Sequence, residues 1–223
     1  VIGALWIAEI TGSFETAMIY AAQRALTDDL GDPVRVGWLI TSYLLIGAGA
    51  AALAGRLGDI FGRRRLMLAM LAVGFVGSLV STFSANYPML LAGRCLQGLT
   101  GAILPLCVGL VRENLPPRKV PMGIGLMISG ASAGTACGLV IGGMIVDHFS
   151  WHGVFFASAL FAATAFAAIY LALPRSPRII IEGRLDWVGG ILFVPAIFAL
   201  LLAITSGPRW GLADWRTGAA AVS

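Results

Sequence analysis

Four charged side chains lie inside long apolar stretches of the sequence, and one of them, Arg24, lies at the end of its stretch. Glu9 and Glu15 fall in the stretch from residue 1 to 24, and Arg94 falls in the stretch from 89 to 111. An ionisable residue inside a membrane helix costs roughly 2.5–3.5 kcal/mol at the helix centre, and by default it marks a path for an ion or a substrate. Burial also disfavours the charged form of a carboxyl group, which can then gain and lose a proton.

Glu15 is therefore the first candidate for a proton carrier, and Glu9 is the second. Arg94 keeps its charge at any relevant pH, so we expect it to favour the charged form of Glu15 in one conformation and to release it in another. Two simpler roles stay open. Glu15 could form a static pair with an arginine, and Arg94 could anchor its helix by bonding to neighbouring carbonyl groups.

The whole sequence has the composition of an integral membrane protein. Hydrophobic residues make up 58% and charged residues 12% of its 223 residues, whereas about 25% of residues are charged in soluble domains. A helix needs about 20 residues to cross a bilayer. About seven stretches are long enough, which predicts an all-α, polytopic bundle of transmembrane helices. These stretches cover residues 1–24, 36–55, 66–84, 89–111, 121–146, 153–173 and 187–204.

The connecting segments predict the orientation of the bundle. Basic residues concentrate on the cytoplasmic side of membrane proteins. One set of alternate connections carries Arg56, Arg63, Arg64, Arg65, Arg112, Arg118, Lys119, Arg175, Arg178 and Arg184, whereas the other set carries Arg35, Arg209 and Arg216. We therefore expect a multi-pass protein of the cell membrane with a cytoplasmic N-terminus.

A short basic segment from Gly55 to Arg65 connects the second and third stretches. Its glycines permit a tight turn, and its aspartate could cap a helix or pair with an arginine. Its marked positions are Gly55, Gly58, Asp59, Gly62, Arg63, Arg64 and Arg65. This pattern resembles the signature loop of the major facilitator superfamily of transporters, except at Ile60, where the family usually has arginine. The resemblance implies a loop that acts as a conformational latch on the cytoplasmic face.

Two further motifs resemble the same superfamily. Arg94, Gln97, Gly98 and Gly101 match its motif in the fourth helix. The fifth apolar stretch has glycines at intervals of four, which share one helix face and let another helix backbone approach closely. These are Gly130, Gly134, Gly138 and Gly142, with Gly143 beside them. They resemble the antiporter motif, although Leu139 replaces its proline. We expect their partner helix to come from the other half of the protein.

Within the superfamily, the sequence is most similar to drug/proton antiporters with fourteen helices. Phe14-Glu15-Thr16 lies where these usually carry Leu-Asp-x-Thr, and Asp186-Trp187 and Pro208-Arg209-Trp210-Gly211 are also similar. The resemblance implies a six-helix bundle over residues 1–173, a cytoplasmic loop over 174–184, and a seventh span with an outer loop and the start of an eighth span over 185–223. The chain would be the N-terminal half of a longer transporter, completed by a C-terminal half.

The implied function is proton-coupled efflux of drugs or other lipophilic compounds. A metabolite symporter or uniporter of the same superfamily is an alternative, and a membrane receptor or scaffold without transport is a third. The expected partners are a small-molecule substrate, protons and the lipid bilayer. The sequence has no catalytic triad, Walker loop or dinucleotide fingerprint, so we expect no enzyme and no cofactor. The basic residues lie in alternate connections rather than on one face, so we also expect no nucleic-acid partner. His148 and His152 could supply part of a metal site, but no further ligand cluster accompanies them and we expect no metal.

Overall fold

Long helices account for most of the chain in the computed structural model, which describes residues 1–174. They are α1 (Ile2–Leu30), α2 (Pro33–Phe61), α3 (Arg63–Thr82), α4 (Tyr87–Gly98), α5 (Ile103–Asn114), α6 (Val120–His148) and α7 (Trp151–Ala172). A 3-10 turn, Leu99–Ala102, joins α4 to α5, and a second, Pro117–Lys119, precedes α6. The predicted all-helical architecture is confirmed over these residues.

Five of these segments are long and apolar enough to cross a membrane. They are α2, α3, the combined segment Tyr87–Asn114, the segment Pro117–His148, and α7. The 29-residue α1 is as long as α2, but Glu9 and Glu15 make it less apolar and it is not one of the five. The expected seventh span at 187–204, the loop at 174–184 and the segment 185–223 lie outside the described residues. The total of about seven spans therefore stays a prediction.

Local sequence explains where the helices break at one end of the bundle. Gly31 adopts φ 64° after α1, a left-handed conformation that glycine tolerates best. Asp32 then caps α2, since its carboxylate accepts a hydrogen bond of 2.8 Å from the Val34 amide. Asn86 caps α4 in the same way, accepting from the Met89 amide at 2.9 Å. Polar caps thus start both helices.

The basic segment Gly55–Arg65 is mostly helical, so its prediction as a loop is wrong. α2 continues to Phe61 and α3 begins at Arg63, with only Gly62 between them at φ 87°. Gly55 and Gly58 do not end α2. At Gly58 an added Cβ would lie 2.9 Å from Arg63 Cγ and 3.1 Å from Leu106 of α5, so this glycine allows close packing within a continuous helix. A single glycine makes the turn.

Helix α1 packs along α6 through the predicted glycine face. A Cβ atom added to Gly134 would lie 2.6 Å from the Ile10 carbonyl oxygen, and one added to Gly138 would lie 2.8 Å from that of Phe14. Gly130 meets the Trp6 ring, Gly142 meets Met18, and Gly143 has open space beside it. The close approach is confirmed. The expected partner from the other half of the protein is wrong, because α1 of this chain occupies the face.

Each end of the bundle has its own set of polar contacts between helices. At what we call the basic end, Arg63 bonds to Glu113 and Arg64 bonds to the Tyr170 carbonyl, which joins the start of α3 to the ends of α5 and α7. At the opposite end, Trp151 donates to Asp29, joining α7 to α1. Tyr87 donates there to the Arg35 carbonyl, joining α4 to α2. Between these ends lies the buried polar cluster described next.

Candidate functional site

Glu15 lies in the middle of α1 with only 1% of its surface exposed. Its neighbours along the helix, Phe14 and Met18, belong to a buried apolar cluster with α2 and α7. Oε2 of Glu15 lies 3.1 Å from the Thr100 hydroxyl. Oε1 has no hydrogen-bond partner among residues 1–174. A carboxyl group in such surroundings has lost most of the hydration that would stabilise its charge.

Thr100 lies in the 3-10 turn between α4 and α5. Pro105 lacks an amide hydrogen and so cannot bond to the Gly101 carbonyl, which favours a break in regular helix one turn before it. The Thr100 hydroxyl lies 2.7 Å from the Gln97 carbonyl as well as 3.1 Å from Glu15. A hydroxyl group has one hydrogen. Thr100 therefore donates either to the Gln97 carbonyl or to Glu15, but not fully to both.

Tyr43 of α2 connects this acid to the guanidinium of Arg94. Its hydroxyl lies 3.5 Å from that of Thr100 and accepts a hydrogen bond of 3.0 Å from Thr16. Its ring lies under Arg94, 4.2 Å from the guanidinium carbon. Tyr43 thus contacts three of the polar groups in the cluster.

Arg94 is buried to the same extent as Glu15, with 1% exposed. Its Nε donates to the Leu39 carbonyl at 3.3 Å and its Nη1 donates to Gln97 Oε1 at 3.0 Å. None of the salt bridges within residues 1–174 joins Arg94 to Glu15. The sequence predicted these two residues to lie near each other, and the structure links them through Tyr43 and Thr100 rather than by a direct ion pair.

The remaining residues of the fourth-helix motif hold this arrangement in place. Gln97 donates from Nε2 to Ser78 of α3 at 2.7 Å, so Arg94 is braced through Gln97 to a second helix. A Cβ atom on Gly98 would lie 2.8 Å from the Tyr43 carbonyl, and one on Gly101 would lie 2.5 Å from Gly47 Cα. Both glycines therefore allow α2 to approach the turn closely.

A cavity of about 330 Å³ lies beside the cluster. It contains polar groups from α1, α2 and the 3-10 turn, set in an apolar wall. Its lining residues are Glu9, Gly12, Ser13, Thr16, Tyr43, Leu44, Gly47, Ala48, Ala51, Thr100, Gly101, Ile103 and Leu104. Glu9 is 5% exposed, and its Oε2 has no hydrogen-bond partner among the described residues. Of the two predicted acids, Glu9 lines the cavity directly and Glu15 lies behind Thr100.

The arginines of the basic segment have different contacts at the basic end. Arg63 pairs with Asp59 at 2.7 Å and with Glu113 at 3.2 Å, and it donates to the Gly109 carbonyl at 2.9 Å. Asp59 thus pairs with an arginine, one of its two predicted roles. Arg64 donates to the Tyr170 carbonyl at 2.8 Å and lies over the Tyr170 ring, and Arg65 is exposed.

The two histidines do not meet at one site. His148 Nδ1 lies 3.0 Å from the Met144 carbonyl, whereas the His152 ring stacks on Trp151 with centroids 3.6 Å apart. Over the described part of the chain, no three His, Cys, Asp or Glu residues come together in a way that could hold a metal ion.

Comparison with known proteins identifies the family. The sequence profile of the Major Facilitator Superfamily matches residues 5–210. The chain belongs to this superfamily. It is 33% identical over 207 residues to the tetracenomycin C resistance and export protein of Streptomyces glaucescens, and 31% identical over 209 residues to the MFS efflux transporter aclA of Aspergillus oryzae. These alignments cover 92% and 91% of this chain, but 38% of the length of each relative.

Solved structures of the superfamily share the fold of this bundle. A peptide transporter in complex with sulfate matches with a TM-score of 0.72 at 17% identity, over 94% of this chain and 47% of that one. The inward-open xylose transporter XylE of E. coli matches with a TM-score of 0.69 at 16% identity, over 90% of this chain and 55% of that one. The bundle therefore has the fold of these transporters, and membership of the superfamily indicates a multi-pass membrane protein.

Sequence reasoning missed three hydroxyl residues and one acid of the site. Thr16, Tyr43 and Thr100 connect Glu15 to the cavity, and Glu113 completes the contacts of Arg63. Hydroxyl residues are common in membrane helices, and nothing in the sequence marks Tyr43. Thr16 and Thr100 each carried a signal, because Thr16 follows Phe14-Glu15 in a segment similar to antiporters and Thr100 lies between Gln97-Gly98 and Gly101 in the fourth-helix motif.

Proposed function

We propose that this chain forms part of a secondary active transporter that exports lipophilic compounds in exchange for protons. One observation carries the proposal. Glu15 is a fully buried carboxyl group behind a cavity, and it lies one hydroxyl group away from the wall of that cavity. An intramembrane acid in this setting suits a group that binds and releases a proton as access alternates between the two sides.

The single hydrogen of Thr100 supports a coupling between proton and conformation. When Glu15 is ionised, Thr100 donates to the carboxylate and releases the Gln97 carbonyl. When Glu15 holds a proton, the acid donates to Thr100, and Thr100 donates to Gln97 over the shorter distance of 2.7 Å. The protonation state of the acid therefore changes a hydrogen bond inside the turn that joins α4 to α5.

Arg94 provides a fixed positive charge on the other side of Tyr43. Its contacts to Leu39, Gln97 and Tyr43 do not involve Glu15, so they persist whether or not the acid carries a proton. We propose that the positive charge of Arg94 stabilises the ionised form of Glu15. Binding of a proton or of a cationic substrate would then neutralise Glu15 in place of Arg94.

The cavity suits a lipophilic ligand with a positive charge. Its wall is largely apolar, with Leu44, Ile103 and Leu104 among its residues, and Glu9 provides a carboxyl group at its surface. Apolar walls with a few polar groups are typical of small-molecule sites. The export proteins among the relatives support the outward direction of transport. We infer a position in the cell membrane with a cytoplasmic N-terminus from the excess of basic residues in one set of connections.

One feature of α6 favours the alternative, a metabolite symporter. The antiporter motif has a proline where this chain has Leu139, and α6 is one uninterrupted helix from Val120 to His148. Since an internal proline would kink or break a helix, the present α6 lacks a feature of the antiporter motif. The direction of flux relative to the proton gradient distinguishes the two modes.

Export of a fluorescent lipophilic cation tests the proposal. The full-length transporter, reconstituted in proteoliposomes, is assayed with ethidium with and without a pH gradient, and wild type is compared with Glu15→Gln and Glu9→Gln. We expect Glu15→Gln to lose gradient-driven transport while keeping ethidium binding, and Glu9→Gln to bind ethidium more weakly. Full gradient dependence in Glu15→Gln would exclude this acid as the proton carrier, and flux of ethidium with the protons would exclude antiport.

A further inference from the structure

We propose that the hydroxyl groups of Thr16, Tyr43 and Thr100 form a proton relay from the cavity to Glu15. The proposal rests on the role of Glu15 given above and adds the route by which its proton arrives. Glu15 does not line the cavity, whereas all three hydroxyl residues do. A proton from cavity water therefore needs an intermediate group to reach the acid.

The distances trace a continuous path across three elements. Thr16 Oγ1 of α1 lies 3.0 Å from the Tyr43 hydroxyl of α2, which lies 3.5 Å from Thr100 Oγ1 in the 3-10 turn. Thr100 Oγ1 in turn lies 3.1 Å from Glu15 Oε2. The path leaves α1 at Thr16, crosses α2 and the 3-10 turn, and returns to the adjacent residue of α1, Glu15. The 3.5 Å step is its longest and has to shorten for transfer.

Exposure falls along the path in the order that a relay requires. Thr16 is half-buried and contacts the cavity, Tyr43 is 4% exposed, and Thr100 and Glu15 are each 1% exposed. Thr16 is thus the entrance and Glu15 is the end. The charged and ionisable groups that face Glu15 are Tyr43 from α2 and Arg94 from α4, and neither Arg94 nor Glu9 lies on the path.

Each hydroxyl passes on its own hydrogen and receives another, so the transfer is balanced. Thr16 takes a proton from cavity water and gives its hydrogen to Tyr43. Tyr43 gives its hydrogen to Thr100, and Thr100 gives its hydrogen to Glu15 Oε2. The net change is one proton moved from water to the carboxylate. Release follows the reverse order, and rotation of the three hydroxyl groups restores the starting arrangement.

The test measures the protonation of Glu15 directly in the full-length transporter. After a rapid drop in pH, time-resolved infrared spectroscopy follows the carbonyl band of the protonated acid, which is assigned by its absence in Glu15→Gln. Tyr43→Phe keeps the ring under Arg94 and removes only the hydroxyl, and Thr100→Val and Thr16→Val remove the other two. We expect each of these variants to slow the appearance of the band about 100-fold, the lower range for a positioned proton-transfer group.

Thr11→Val is the matched control. Thr11 is a fully buried threonine of the same helix whose hydroxyl donates to the Ile7 carbonyl at 2.9 Å, off the path. We expect it to leave the rate unchanged, and Thr100→Ser to restore the rate lost in Thr100→Val.

Three results would overturn the relay. If Tyr43→Phe protonates Glu15 at the wild-type rate, the path through Tyr43 is wrong. If only Thr100→Val is slow, the proton enters at Thr100 and the longer chain is wrong. If wild type shows no Glu15 band at any pH, both the relay and the proposed role of Glu15 are wrong. The first two results overturn the relay alone, so the two failures are distinguishable.

Discussion

The guanidinium of Arg94 lies over a neutral partner, the ring of Tyr43, with 4.2 Å between the guanidinium carbon and the ring centroid. A cation over an aromatic ring away from water gains about 2 kcal/mol or more. Tyr43 therefore holds a fixed charge with its ring face while its hydroxyl lies beside Thr16 and Thr100. Tyr43 therefore contacts both the fixed charge of Arg94 and the hydroxyl groups of the proposed proton relay.

Arg94→Lys should destabilise the bundle and abolish transport. A lysine ammonium cannot bond to the Leu39 carbonyl and Gln97 while covering the Tyr43 ring, because it lacks the planar array of donors. The loss of one hydrogen bond to a buried charged group costs about 1.5–3 kcal/mol. Thermal unfolding of the purified transporter in detergent measures this change.

Arg112→Lys provides the control for that substitution, since Arg112 is exposed near the end of α5. We expect no measurable change there. An equal melting temperature for Arg94→Lys and wild type would contradict the arrangement described for Arg94.

Gly138→Ala should lower stability, whereas Gly143→Ala on the same helix should not. A Cβ at Gly138 would lie 2.7 Å from the Ala17 Cβ and 2.8 Å from the Phe14 carbonyl oxygen, so α1 and α6 would have to separate. Overpacking of this kind costs about 1–3 kcal/mol. At Gly143 nothing lies within 4 Å of the added carbon, and alanine gains up to about 1 kcal/mol from helix propensity. Equal melting temperatures for the two variants would refute the close approach of α1 to this face.

Arg63→Gln should weaken the basic end by about 1–2 kcal/mol, because it removes two ion pairs and a bond to the Gly109 carbonyl at a partly exposed site. Hydrogen exchange at the amides that follow Gly62 should accelerate as the contact between α3 and α5 loosens. Arg65→Gln has the same change of charge at an exposed position and is the control. The interpretation would be wrong if both variants accelerated exchange equally.

Thiol labelling should place the two ends of the bundle on opposite sides of the membrane. In the full-length protein with Cys95, Cys107 and Cys137 replaced, single cysteines are introduced by Ala85→Cys in the turn between α3 and α4, and by Lys119→Cys before α6. The excess of basic residues at the basic end predicts that a membrane-impermeant maleimide labels only Ala85→Cys in intact cells. Labelling of Lys119→Cys alone would reverse the orientation proposed here.

Within residues 1–174, the sequence was sufficient to predict an all-helical architecture and to single out Glu15 and Arg94, but not the side chains that link these two residues. Apolar stretches of about 20 residues identify spans because the bilayer sets their length. Glu15 and Arg94 stand out because charges are rare in such stretches. By contrast, Tyr43 and Thr100 matter through contacts between helices, and the period of one helix does not determine which residue of another it meets.

Gly62 shows a different limit. The glycines and arginines around it suggested a loop of eleven residues, yet α2 continues through Gly55 and Gly58 to Phe61, and only Gly62 separates it from α3. The predicted partner of the glycine face was also wrong, since the sequence alone shows that a helix can pack closely there but not which helix does. In the structure the partner is α1, which is distant in sequence from α6.

The walls of the cavity differ from the contacts that hold the bundle together. The helix crossings at Gly98 and Gly138 leave no room for a side chain, because an added Cβ would lie within 2.8 Å of a neighbouring helix. Leu44, Ala48 and Leu104 line the open space instead, where a longer or shorter side chain alters the volume without separating two helices. Substitutions at these wall positions can therefore reshape the cavity while the glycine crossings keep the helices in place.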